Sequence, residues 1–278
     1  LFFHGHSSLL SAIIFSLNVT YSIVSVHPNT TFFDIFLSLK RHYPLILQLI
    51  KREVISRYRG SFLGLLWSFI NPILMLAIYT FVFSVVFKVR LDQAAGVYDD
   101  KFAFALLLFA GLIIFNLFSE CLSRAPGLIL ANVNCVKKII FPLEILPWVT
   151  LGSTLFHAGI SFLILLAFLL LIGHPIHWTL ICLPIVVLPL LLLVMGLSWL
   201  LASIGVFVRD IGPYIGLILT MLLFMSPIFY PASALPESVR NYLFLNPLTF
   251  IIEQVRAVIL YGQLPDWIGL TVYYIIAL

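Results

Sequence analysis

The chain has 278 residues, of which 62% are apolar, 15% aromatic and only 9% Asp, Glu, Lys or Arg, and it carries a formal net charge of +4. Soluble domains average roughly 45–50% apolar and about 25% charged residues; 15 basic and 11 acidic side chains cannot cover a soluble fold of this length, so its outside must face lipid. This excludes a soluble enzyme, and because the basic residues sit beside apolar runs, where they report orientation in a bilayer, nucleic acid is not an expected partner.

The first 33 residues hold no Lys, Arg, Asp or Glu, so Leu1–Val26 lacks the basic lead of a secretory signal. Residues 1–42 are read as an N-terminal extension, disordered or a non-native start, and residues 43–278 as the transmembrane domain. Ile46, Ile50, Val54 and Tyr58 then recur every four residues, while Gln48, Lys51, Arg52, Ser56 and Arg59 lie largely on the other side. The pattern predicts an amphipathic helix lying in the plane of the inner membrane surface, its apolar stripe in the acyl boundary. Its cations Lys51, Arg52, Arg57 and Arg59 meet anionic lipid headgroups. Glu53 and Arg57 interrupt the apolar side and, four apart, can pair. The competing reading is a plain basic flank with no in-plane helix.

A helix needs roughly 20 apolar residues to cross a bilayer core, and six spans are expected on that count. The first lies within Gly64–Phe87, where Asn71-Pro72 marks a kink or a helix restart. The second is Phe102–Leu122. Ile145–Val208 carries no charge, is too long for one span and is divided by "GHPIHW" (Gly173–Trp178), giving spans three and four as a hairpin. The fifth is Pro213–Tyr230, and the sixth runs from Trp267 to Leu278 and is incomplete. Between the last two, "PESVRNYLFL" and "PLTFIIEQVRAVIL" each read as a short helix led by proline, too short to span. With the N-terminus inside, the inner segments hold ten Lys and Arg (40, 41, 51, 52, 57, 59, 124, 137, 138 and 209) against five outside, which favours a cytoplasmic N-terminus.

No energy source is visible in these residues. No lysine follows a glycine, so the phosphate-cradling GxxxxGK[ST] loop is absent. The spans are nearly free of the ionisable groups that an ion-driven carrier places at depth. Glu120 is expected to pair with Arg124 at the end of span two, and His157 to be a hydrogen-bonded interior histidine. His174 and His177 share a turn without an acidic or cysteine partner, so no metal is expected. Cys121, Cys135 and Cys182 read as packing thiols. No nucleophile constellation, and hence no catalytic residue, is found, nor the polar filter of a passive pore. A membrane subunit driven by another protein's energy remains.

Three stretches carry a family resemblance: "RYRGSFLGLLWSFINPILMLAIYTFVFSVVF" (Arg57–Phe87), "VKKIIFPLEILP" (Val136–Pro147) and "SPIFYPASALPESVRNYLFLNPLTFIIEQVRAVIL" (Ser226–Leu260). They resemble the membrane subunit of type-2 ABC exporters, in the branch that exports O-antigen, capsular or teichoic-acid polysaccharide on a lipid carrier. The resemblance covers about Tyr43–Leu278. It implies an all-α integral membrane protein, a six-span bundle with an N-terminal in-plane helix, working in the cell's inner membrane. It also implies a second copy of the chain and two copies of a separate ABC ATPase; ATP and Mg belong to that partner, and no cofactor to this chain.

Residue by residue, Arg124–Leu146 is similar to the family's cytoplasmic coupling element, with Asn132, Asn134, Lys137 and Lys138 as candidates to touch the ATPase; alternatively these lysines only set topology. By the same resemblance the two proline-led helices are re-entrant outer gate helices, marked by Asn246-Pro247, Glu253 and Arg256. Glu253 and Arg256, three apart, share a face and are able to pair. Trp67, Tyr79, Phe83 and Phe87 fall on a four-residue ladder, to which span five adds Phe224 and Tyr230. Rings accept the C–H faces of sugars, so these six are candidate channel residues; lipid-facing or packing roles are the alternative. The implied function is the permease subunit of an ATP-driven exporter of lipid-linked polysaccharide. The alternative is a type-2 exporter of small hydrophobic drugs or lipids, which shares the gate motif but has less reason for the Arg57–Phe87 pattern.

Overall fold

The structure, a computed structural model, describes residues 38–82, 102–132, 142–208, 210–229, 243 and 246–278. Among these the regular elements are all helices. In chain order they are α1 (Tyr43–Arg57), α2 (Trp67–Thr80), α3 (Ala103–Arg124), the single turn α4 (Leu128–Ala131), α5 (Leu146–Leu171), α6 (Leu183–Phe207), α7 (Ile211–Met225), α8 (Pro247–Ile259) and α9 (Trp267–Ala277). Among the described residues three helical segments are long and apolar enough to cross a membrane: Phe104–Ala131, Leu143–Leu171 and Trp178–Phe207. They correspond to expected spans two, three and four, with ends shifted by a few residues. Gly64–Thr80, Ile211–Met225 and Trp267–Ala277 are shorter apolar helices.

The organising element is α3. Its 22 residues extend roughly 33 Å, about the thickness of a hydrocarbon core, and α2, α5, α6, α7 and α8 all pack on it. From Phe104 to Phe118 every residue is buried except Asn116. Leu106, Leu108 and Phe118 meet a core that includes Leu165 and Leu169 of α5, Leu190 and Met195 of α6, and Ile251 and Ile252 of α8. Lipid tails are as apolar as these side chains, so close fit rather than water exclusion holds helices together in a membrane. Gly205 of α6 is such a fit: a Cβ there would collide with the Pro126 carbonyl in the 3₁₀ turn Ala125–Gly127 that follows α3.

The hairpin of α5 and α6 turns at Gly173, whose φ of 74° suits glycine, as the Gly-Pro signal indicates. Of the kink or helix restart expected at Asn71-Pro72, the restart does not occur. α2 begins at Trp67 after a 3₁₀ turn at Gly64–Leu66 and runs through Pro72 unbroken. Pro72 lies in the sixth position of the helix, where its missing N–H leaves the Ser68 carbonyl without its usual donor. α7 ends five residues short of Tyr230. Ser226 precedes Pro227 and takes extended backbone (φ −84°, ψ 147°), because proline disfavours a helical residue before it.

Candidate functional site

α1 is anchored first by shape. Ile46 is 2% exposed and packs with Val149 of α5 and with Ile145 just before it; Ile50 rests over Gly152, where a Cβ would strike it. The stripe expected to enter the acyl boundary therefore covers the start of span three instead. Charge then fixes the end of α1. In place of the possible Glu53–Arg57 pair there are two links across to α3: Arg57 Nη2 donates to Glu120 Oε1, and Arg124 Nη2 to Glu53 Oε1. The expected Glu120–Arg124 pair is present at 3.4 Å and joins the two links into one chain of four charges. Ser153 of α5 adds a 3.1 Å bond to Glu53. Burial lowers the affinity of Arg57 for its proton, but the bond to Glu120 and that carboxylate's charge outweigh it and raise the pKa above the ordinary arginine value. Lys51, Arg52 and Arg59 are exposed.

Beside this clasp lies a hollow of about 480 Å³ whose walls include Arg52, Glu53, Arg124, Asn132 and Thr150. It brings Arg52 of the predicted in-plane helix and Asn132 of the predicted coupling element to one concavity. The Asn132 amide closes the α4 turn by donating to Leu128 O at 2.8 Å. Asn134, Lys137 and Lys138 lie outside the described residues.

The predicted gate motif forms a buried junction. Asn246 caps α8, its Oδ1 accepting from Leu248 N at 3.0 Å with Pro247 in the first turn. Its Nδ2 donates to Ser226 Oγ at 2.8 Å, and Ser226 donates in turn to Leu222 O in α7. Arg256 is 7% exposed. Its donors go to main-chain carbonyls: Nε donates to Leu107 O at 3.0 Å, Nη1 to Pro227 O at 2.6 Å and Nη2 to Ile228 O at 3.0 Å. Room for the guanidinium comes from Gly111, where a Cβ would approach Nη2 to 3.1 Å. At its far end α8 accepts a bond from Thr179 in the 3₁₀ turn before α6, at Val258 O, 2.7 Å. At about 1.5 Å per residue, 13 residues give roughly 20 Å, too short to cross. Of "PESVRNYLFL" only Leu243 is among the described residues.

The aromatic candidates separate. Twelve residues apart in one helix, Trp67 and Tyr79 point roughly 120° from each other. Tyr79, with Ser68, Asn71 and Met75 of the same face, lines a cleft of about 540 Å³ shared with α1, α3 and α5; Trp67 does not. Phe224 is 64% exposed on α7 and stacks on Phe229 at 5.9 Å. Phe83, Phe87 and Tyr230 fall outside the described residues. His157 of α5 faces the same cleft, with its ring 5.8 Å from that of Tyr58. The charge clasp and the carbonyl cage of Arg256 were missed from sequence. Their signals were Glu53 and Arg57 set on an apolar face, and a cation within an apolar helix.

Comparison with known proteins decides the family, since the ABC-2 type transporter profile matches residues 44–260. The chain belongs to the ABC-2 type transporters. An ABC-2 membrane domain is the permease component of an ABC transporter, so this chain is a multi-pass membrane permease. It is similar to the O-antigen export system permease protein RfbA of Myxococcus xanthus, 30% identical over 82% of this chain and 85% of the relative. RfbA of Klebsiella pneumoniae is 26% identical over 80% and 82%. The polysialic acid transport protein KpsM of Escherichia coli is 24% identical over 80% and 83%.

Proposed function

We propose that this chain is the permease subunit of an ATP-driven exporter that moves lipid-linked polysaccharide across the cytoplasmic membrane. The observation that carries the reading is its likeness to O-antigen and polysialic acid export permeases, over at least 80% of this chain and 82% of each relative. The missing Gly-Lys pair supports it, because work done by such a permease must come from a separate ATPase.

In this reading two copies of the chain, each with six spans and a cytoplasmic N-terminus, stand on two ATPase subunits that hold ATP and Mg. α1 lies in the plane of the inner surface. The segment after α3, with Asn132, Asn134, Lys137 and Lys138, receives the push, and the clasp passes it to α1 and α3 together. Polymer passes between the two copies of α2 and α7, along Phe83, Phe87, Phe224, Tyr230 and Trp67, and leaves beneath α8, while Tyr79 faces the cleft within each subunit. Differential binding of ATP to two arrangements of the partner is what shifts the halves.

The test is deletion of the gene in its own cells, with complementation. Loss of surface polysaccharide together with a build-up of lipid-linked polymer inside, reversed by the plasmid-borne gene, is expected. Unchanged surface polymer with altered tolerance of hydrophobic drugs would overturn the reading in favour of a small-molecule exporter.

A further inference from the structure

Within helices as apolar as α2, α3 and α5, a polar side chain is costly unless it meets another one or a ligand. The cleft beside Tyr79 collects such groups: Tyr58, Asn71 of α2, Asn116 and Ser119 of α3, and His157 and Ser161 of α5. Several are not used up by the protein. Asn116 is the one exposed position between Phe104 and Phe118. Neither its side-chain amide nor that of Asn71 bonds to another described residue. His157 Nδ1 lies 3.4 Å from the Tyr58 hydroxyl, while its Nε2, closed off from solvent, has no partner among the described residues. Ser119 and Ser161 donate to carbonyls of their own helices, which leaves both oxygens able to accept.

Charge narrows the ligand. The two ionised residues of the cleft, Arg57 and Glu120, are paired with each other, so the cleft presents no spare charge to hold a phosphate or a cation. It presents amides, hydroxyl oxygens and the rings of Tyr58 and Tyr79, which suit a neutral polyol with C–H faces. The volume of about 540 Å³ lies within the roughly 300–1,000 Å³ of small-ligand sites. Along α3 the lining runs from Glu120 to Phe109, roughly 16 Å at about 1.5 Å per residue. The polar groups crowd the end near α1, and Met75, Phe109, Leu112 and Ile113 form the other end.

We propose that this cleft is a binding subsite for a glycosyl unit, held within one subunit where α1 meets α3. The inference rests on the export reading and adds where, and by which atoms, the sugar is taken up. The chemistry is the same for the sugar next to the lipid carrier, whose chain would then lie along Met75, Leu112 and Ile113, and for a sugar inside the polymer.

The experiment uses the complete transporter in the membranes of its own cells. p-Benzoylphenylalanine replaces Ser161, Asn116 or, as a control, Leu163, which is 61% exposed on another face of α5. After irradiation the adducts are identified by mass spectrometry in three strains: the parent, one blocked in chain elongation, and one making no polymer or primer. Glycan adducts at Ser161 and Asn116, well above Leu163 and absent from the third strain, are expected. Their survival in the elongation-blocked strain assigns the lipid-proximal sugar, and their loss there assigns an interior one. Adducts only to phospholipid or to a second copy of the chain, or glycan yields equal at Leu163, would overturn the proposal. In parallel, Asn116→Leu at matched membrane levels is expected to cut export roughly threefold to tenfold, the worth of one hydrogen bond; unchanged export counts against the subsite. Should surface polymer persist after deletion of the gene, the export reading itself has failed. A lack of glycan adducts in cells whose export does require the gene refutes the subsite alone.

Discussion

Arg256 carries a charged guanidinium into the meeting point of α3, α8 and the chain after α7, and gives its donors to three carbonyls there. A charge-assisted hydrogen bond contributes roughly 1.5–3 kcal/mol, and the carbonyls of Pro227 and Ile228 lie beyond the helical ladder of α7. Arg256→Leu is therefore expected to lower the melting temperature of the detergent-purified permease markedly. Arg256→Lys should fall between, since one ammonium cannot serve three acceptors set in a fork. A thermal-shift measurement in which the leucine and lysine variants match the parent would contradict this account. The motif residues themselves stood out in the sequence. The partners of Arg256 did not, because a carbonyl belongs to every residue and leaves no mark in the letters.

At the scale of elements, α1 and α3 are held by alternating charges: Arg57, Glu120, Arg124 and Glu53. These side chains are between 24% and 38% exposed, so each pair is worth only about 0–1 kcal/mol. The arrangement is better suited to setting geometry than to holding the fold. Exchanging the ends of one link tests this: Arg57→Glu or Glu120→Arg alone should reduce export sharply, and the double exchange should recover much of it. No recovery in the double variant would show that position, not pairing, matters. Gly205 makes a second prediction. A methyl group there would drive α6 off the Pro126 carbonyl, and overpacking of this kind costs typically 1–3 kcal/mol. Gly205→Ala should thus lower thermal stability, while Ala at Gly159, which has open space, should not. Helix positions were legible in the sequence where an apolar run ended in a clear stop, as at Gly173; the stop at Ser226-Pro227 was passed over, since the fifth span was expected to run on to Tyr230. What α1 packs against was not legible, since an apolar stripe fits a lipid tail and the face of α5 equally well.

Over the whole molecule, a single helix carries the connections: α3 touches the clasp at its end, the Arg256 cage at Leu107 and the cleft at Asn116. A displacement imposed near Arg124 thus has a rigid route of roughly 25 Å, 17 residues at about 1.5 Å each, to the gate junction. Binding of the ATPase should accordingly stabilise regions far from the contact. Hydrogen exchange is expected to slow at α8 when the partner joins, and slowing confined to residues near α1 and α4 would argue that no such route operates. Composition made plain that the chain is a membrane protein and led to an expectation of six spans; among the described residues three helical segments are long and apolar enough to cross. How they surround α3 depends on complementary surfaces that a linear pattern does not record.

The cage of Arg256 has an outcome for how the gene tolerates change. Its acceptors are peptide oxygens, supplied by any amino acid, so replacement of Leu107 or Ile228 by another aliphatic residue should leave the pin intact, at the modest cost of repacking alone. A saturation-mutagenesis library of this permease would then display an uneven landscape, intolerant at the guanidinium and permissive at the residues it grips.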